Sequence, residues 1–128
     1  MTQVNCTRAQ TAVLKALRQQ PEPISAQTLY TLIKEHQRIG LATVYRALDV
    51  LKRMGRVQHR VTLAGETLYS AVEQDRHYMT CLDCGQSFPL DTCPLQGLAF
   101  SLQHSNSFTV YYHTLEFFGL CEPCSVQG

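Results

Sequence analysis

The stretch Ala42-Thr-Val-Tyr-Arg-Ala-Leu-Asp-Val-Leu-Lys-Arg-Met54-Gly55-Arg-Val-Gln-His-Arg-Val-Thr-Leu-Ala-Gly65-Glu-Thr-Leu-Tyr-Ser70 carries two periods, and the change between them decides the fold. From Ala42 to Met54 the apolar residues Val44, Leu48 and Leu51 recur at helical spacing, while Thr43, Tyr45, Arg46, Asp49, Lys52 and Arg53 take the remaining surface. That pattern predicts a basic amphipathic helix ended by Gly55. Beyond Gly55 the period falls to two: Val57, His59, Val61 and Leu63 alternate with Gln58, Arg60 and Thr62. Ala64-Gly65 then turns the chain, and Thr67 to Ser70 return as the second arm of a hairpin.

Two further helices are predicted upstream. Ala9, Val13, Leu14 and Leu17 form a stripe that begins near Thr7 and is stopped by Pro21 and Pro23. Ser25 suits an N-cap for a helix from Ala26 to His36, with Leu29, Leu32 and Ile33 on one face and Gly40 after the break. Three helices followed by a hairpin is the order of a winged helix. A small helical domain with an incidental hairpin is the alternative.

Residues 71–78 are polar and predict a hinge, which divides the chain into domains at 1–74 and 75–128. The second domain reads as a short strand Phe88 to Leu90, a helix Pro94 to His104 and a long strand Phe108 to Phe118. The expected class is α+β. A domain of about 50 residues buries little apolar surface alone and needs a metal or a partner chain.

The 128 residues carry a net charge of only +1, but the two halves differ. Residues 1–74 hold ten Lys/Arg against five Asp/Glu; residues 75–128 hold Arg76 against five acids. A basic first half points to nucleic acid, although +5 is modest. No apolar run approaches the roughly 20 residues of a spanning helix, and the first 20 residues lack a signal-peptide core. The expectation is a soluble, cytoplasmic protein without a membrane partner.

In that compartment six cysteines read as thiols rather than disulfides. Cys81-Leu-Asp-Cys84 and Cys121-Glu-Pro-Cys124, separated by 36 residues, have the spacing of two turns that offer four thiolates to one tetrahedral Zn²⁺, with Gly85 and Gly119 suiting tight backbone. A dithiol oxidoreductase is the rival reading. It needs a pair after a strand at the start of an amphipathic helix, and neither pair is expected there. No general base, oxyanion donor or phosphate loop accompanies the cysteines, which argues against an enzyme and against a small organic substrate.

Other donors gather near the hinge. Cys93 precedes Pro94, a favoured first helical residue, so a helix N-terminus is expected to favour its thiolate. His113 is expected on the long strand beside Tyr111 and Leu115, with Glu116 on the opposite face; His77 stands four residues before Cys81. His59 projects from the hairpin and is the first-domain imidazole able to reach the second. Each alone is more often a satisfied polar residue; together they favour a second metal site. Cys6 reads as an exposed tail thiol, and His36 and His104 as helix-end residues.

Gly40-Leu-Ala-Thr-Val-Tyr-Arg-Ala-Leu48, Cys81-Leu-Asp-Cys84-Gly85 and His113-Thr-Leu-Glu-Phe-Phe-Gly-Leu-Cys121, in that order, resemble the ferric uptake regulator family over Thr7 to Cys124. The resemblance implies a dimeric, metal-responsive DNA-binding repressor with an N-terminal winged helix and a C-terminal α/β dimerisation domain. It also implies that Tyr45 and Arg46 contact DNA and that the paired cysteines hold structural zinc. A helix in the major groove reaches base edges from its N-terminal end, which suits Thr43, Tyr45 and Arg46; Lys52, Arg53 and Arg60 then suit phosphates. Tyr45 as a core aromatic beside Val44 and Leu48 is the alternative.

The sequence also departs from the iron-sensing pattern. The histidine-rich run before the first cysteine pair is reduced to Asp75-Arg76-His77-Tyr78, and Pro23 replaces a histidine expected before the second helix. Cys93 supplies a soft thiolate instead, and mixed S/N donors favour Zn²⁺ over Fe²⁺ or Mn²⁺. Within the family the resemblance is to the zinc uptake regulators, particularly the cyanobacterial form. The expected sensory set is His77, Cys93 and His113, with His59 as fourth ligand; Gln96 occupies a place where a relative could offer another. That gives one structural and at least one regulatory Zn²⁺ per chain, and a homodimer on an inverted-repeat operator, with zinc as co-repressor of uptake genes and activation elsewhere as an option. An iron- or redox-sensing regulator of the same family is the alternative.

Overall fold

A computed structural model describes residues 6–74, 77–95 and 97–126, so Gln96 and the Asp75-Arg76 part of the expected hinge lie outside the described residues. The chain forms two compact units, residues 1–74 and 75–128.

The first unit is built from α1 (Arg8–Arg18), α2 (Ala26–Lys34), α3 (Leu41–Arg53), β1 (Val57–Val61) and β2 (Thr67–Ala71), closed by a single 3₁₀ turn, Val72–Gln74. Thr7 starts α1 with a capping box: its hydroxyl accepts from Gln10 N–H at 3.1 Å, and Gln10 Oε1 accepts from Thr7 N–H at 3.0 Å. Ser25 caps α2 by accepting from Thr28 N–H at 3.1 Å. The apolar stripes of the three helices meet in one core, where Val13, Leu29, Val44 and Leu51 are wholly buried. Each such side chain stabilises the fold by about 1.5–3 kcal/mol relative to exposure.

β1 and β2 pair antiparallel from Val57↔Ala71 to Val61↔Thr67, and Ile24 bridges to Tyr69 through backbone bonds of 3.0 and 2.7 Å. The hairpin packs on the helical core from its base as far as Tyr69. Val57 and Ala71 are buried there, whereas Val61 and Leu63, expected on the apolar face, are more than half exposed further out. Cys6 also departs from expectation: it packs, half-buried, against the core.

The second unit contains β3 (Tyr78–Cys81), β4 (Ser87–Pro89), α4 (Leu98–Asn106), β5 (Glu116–Gly119) and α5 (Glu122–Ser125). Its sheet has the order β4-β3-β5, with β3 antiparallel to β4 and parallel to β5. β3 is a strand that the sequence pattern does not predict: it begins at Tyr78, the last residue of the expected hinge, and runs into the first cysteine pair. The expected long strand is confined to β5, because its ladder begins at Tyr78↔Glu116 and ends with β3 at Cys81↔Gly119. Residues 108–115 lack a strand partner and are irregular. Likewise α4 starts at Leu98 rather than Pro94, since Gly97 sits at φ +85° as its N-cap, a conformation a helix interior excludes.

Nothing along α4 is buried, and Leu98, Phe100 and Leu102 are exposed. Among the described residues no helix is long and apolar enough to cross a membrane.

Candidate metal centres and basic helix

The parallel ladder brings the two cysteine pairs together. Cys81 ends β3, Cys84 lies in the following turn, Cys121 is the N-cap of α5 and Cys124 lies within it. Gly85, at φ +79°, completes the first turn; Gly119 belongs to β5 and has no positive φ, so its expected turn role does not hold. The four sulfurs lie within 4.8 Å of one another, with Cys84 and Cys121 at 3.9 Å. Four thiolates about 2.3 Å from a tetrahedral Zn²⁺ stand about 3.8 Å apart, so this donor set fits zinc.

The protons follow the crowding. Backbone N–H groups of Cys121 and Cys84 lower the Cys81 thiol to about 6. For Cys84 the Gln86 N–H favours thiolate, but the sulfurs of Cys81 and Cys121 and burial outweigh it, and the thiol is raised. The neighbouring thiols of Cys121 and Cys81, then burial, push Cys124 up. The second pair does follow a strand and open a helix, contrary to expectation. That helix has four residues, and its sulfurs face two other cysteines, an arrangement of a metal clip rather than an isolated dithiol.

The second cluster gathers His77, Cys93 and His113, whose donor atoms also lie within 4.8 Å of one another. Cys93 Sγ is 3.3 Å from His113 Nε2, and the rings of His77 and His113 stack at 4.6 Å. His77, immediately before β3, is buried, with its carbonyl accepting from Leu90 N–H at 2.7 Å. Two imidazoles and one thiolate suit Zn²⁺ and leave a fourth position.

Two expectations about this cluster are corrected. Pro94 is not a first helical residue, so no helix N-terminus acts on Cys93; Leu95 N–H donates to its sulfur at 3.4 Å instead. His113 precedes β5 and lies outside any strand, so the opposite-face argument for Glu116 does not apply; the Glu116 carboxylate accepts from the Thr80 hydroxyl.

His59 lies half-buried in the first unit, across the hairpin from Tyr69 with ring centroids 6.3 Å apart. Burial and then Lys52 hold its imidazole below the ordinary 6.5. Its Nδ1 is buried and meets no hydrogen-bond partner among the described residues.

On α3 the core takes Val44, Ala47, Leu48 and Leu51, leaving Tyr45 and Arg46 exposed and Thr43 half-buried. Tyr45 is 49% exposed, which removes its reading as a core aromatic. Arg46 donates to Thr43 Oγ1 at 3.0 Å, and Arg53 pairs with Asp49 at 2.7 Å. Lys52 lies half-buried near the C-terminal end of α3 and Arg60 half-buried on β1. The sequence reading missed Thr80 and Ser87, which bridge β3 and β4; only a strand assignment for Tyr78–Cys81 could have revealed them.

A winged helix joined to a small α/β unit with two metal-donor clusters is the architecture of metal-responsive transcription regulators. The family profile described as "Ferric uptake regulator family" matches residues 1–118, and the chain belongs to that family. The zinc uptake regulation protein of Mycobacterium tuberculosis is 30% identical over 123 residues, covering 94% of this chain and 95% of its own. The ferric uptake regulation protein of Neisseria meningitidis is 28% identical over 109 residues, covering 84% of this chain and 76% of its own. Among solved structures, the Vibrio cholerae ferric uptake regulator is 28% identical and covers 92% of each chain with a TM-score of 0.58.

Proposed function

We propose that the chain is a zinc-responsive regulator that acts in the cytoplasm as a homodimer on an inverted-repeat operator. The observation that carries the zinc reading is the meeting of His77, Cys93 and His113, because a donor set of one thiolate and two imidazoles prefers Zn²⁺ to the harder Fe²⁺ or Mn²⁺. The 30% identity to a zinc uptake regulation protein supports it. Bound there, zinc supplies charge and a fixed coordination geometry; the four-cysteine centre supplies folding energy.

His59 is our candidate for the fourth donor, supported by its buried, unpartnered Nδ1. Filling the second centre would favour the competent state, in which the winged helices of the dimer match the spacing of successive major grooves. Thr43, Tyr45 and Arg46 would meet base edges, and Lys52, Arg53 and Arg60 phosphates. Switching from mostly inactive to mostly active takes roughly 10⁴-fold preference for the competent state, about 5.5 kcal/mol. The exposed Leu98, Phe100, Leu102 and Phe118 support association with a second copy. By likeness to its relatives the regulator would repress zinc-uptake genes in zinc excess.

The test is operator binding in metal buffers, using inverted-repeat DNA selected from a random pool. Tight binding should follow free Zn²⁺ and stay weak across physiological free Fe²⁺. Equal or better response to Fe²⁺ would replace this reading with an iron sensor.

A further inference from the structure

Thr80 sits on β3, the middle strand of the second unit's sheet, with its side chain buried. Its hydroxyl touches both flanking strands: Ser87 Oγ on β4 at 2.8 Å and a carboxylate oxygen of Glu116 on β5. A hydroxyl has one proton and a carboxylate only accepts, so Thr80 donates to Glu116 and Ser87 donates to Thr80. This directed relay crosses the whole width of the sheet.

The relay stands between the two donor clusters. Along the chain at β3, His77 lies three residues before Thr80 and Cys81 one after it; around β5, His113 lies three residues before Glu116 and Cys121 five after it. The two segments are joined by a parallel ladder of four pairs, extended by Tyr78 N–H to Leu115 O at 3.2 Å. Parallel pairing is the less stable kind, and so short a ladder gives β5 little hold of its own. Glu116 is half-buried, and a hydrogen bond to a carboxylate contributes more than one between neutral groups.

We propose that Thr80 is a positioning residue for the second metal centre: through Glu116 it fixes β5 against β3, and with it the place of His113 beside His77 and Cys93. The proposal rests on the reading of those three residues as a metal site. Outer partners that orient metal ligands typically change metal affinity by about 10–100-fold when removed.

The experiment uses the full chain with its tetrathiolate zinc in place, titrated with Co²⁺ alone and followed by the sulfur-to-cobalt charge-transfer absorption. The parent should show a one-thiolate spectrum that Cys93→Ser abolishes; absence of that band in the parent would sink the reading of the second site itself. Thr80→Val should keep its tetrathiolate zinc, counted by native mass spectrometry, yet bind Co²⁺ about tenfold or more weakly. Thr80→Ser should restore the affinity, and Ser87→Ala, which leaves the Thr80–Glu116 bond, should cost less than Thr80→Val. Parent-like Co²⁺ binding by Thr80→Val would overturn the proposal. So would loss of its tetrathiolate zinc, which would assign Thr80 to the general stability of the sheet.

Discussion

Cys93 Sγ stands 3.3 Å from Nε2 of His113, although the two are twenty positions apart in the chain with the whole of α4 between them. That contact places one soft donor against one borderline donor, which would set the metal preference of the proposed second centre. Cys93→Asp substitutes a hard oxygen and should lower Zn²⁺ affinity while narrowing the gap to Mn²⁺ and Fe²⁺. Competition titrations with the three ions measure this directly; an unchanged order of affinities would remove Cys93 from the ligand set.

The four-cysteine centre has a different job. Zinc bound by Cys81, Cys84, Cys121 and Cys124 would clip the end of β3 to the segment after β5. Cys121→Ser, or strong chelation, should therefore collapse amide hydrogen-exchange protection across residues 78–119 while helices α1 to α3 keep theirs. Protection that persists in the second unit would show that its fold stands without the metal.

The first unit depends instead on its apolar core, so Leu48→Ala should destabilise it by about 2–5 kcal/mol in denaturant unfolding. Less than about 1 kcal/mol would mean the helices repack around the gap.

The basic surface predicts a split between two kinds of variant. Arg46→Ala should weaken binding unevenly among operator sequences, as loss of a base contact does, by about 1–3 kcal/mol. Arg60→Ala should weaken all sequences alike and reduce the slope of log affinity against log salt by about 1. Identical behaviour of the two would contradict their assigned roles.

Charge also matters where α1 meets the end of the hairpin. Arg18 pairs with Glu73. Burial raises the Glu73 pKa, but a backbone N–H and the Arg18 guanidinium outweigh it, and the carboxyl titrates below its ordinary 4.5. A depressed carboxyl contributes stability above its unfolded pKa and loses it as pH falls through the folded value. The pair therefore supports the first unit above about pH 4.5 and fades in stronger acid. An NMR titration should find the Glu73 midpoint below 4.5 in the parent and higher in Arg18→Gln; a midpoint unmoved by that change would leave the pair without effect.

Much of the first unit was legible because its signals are local. The stripes of α1 to α3, the Thr7 and Ser25 caps and the Ala64-Gly65 turn each sit within a few residues of what they specify. The second unit was read less well because its elements are set by distant partners. β3 is short and lies among polar residues, the strand at Phe108–Phe118 lasts only as long as β3 can pair with it, and Gly97 moves the start of α4. The residues that the fold gathers into two clusters were nonetheless visible as candidate donors, since C-x-x-C spacing and the scarcity of other soft donors survive errors in strand boundaries. Thr80 was not, because a threonine acquires meaning only from the strands on either side.

The most direct measurement is operator binding by protein that keeps its tetrathiolate zinc but has lost the second ion. Affinity should rise steeply when free Zn²⁺ is restored to the parent, and should stay low for Cys93→Ser and His113→Ala at the same zinc level, with all three proteins folded and dimeric. Equal, tight DNA binding by the stripped parent and by both variants would contradict zinc control through this centre.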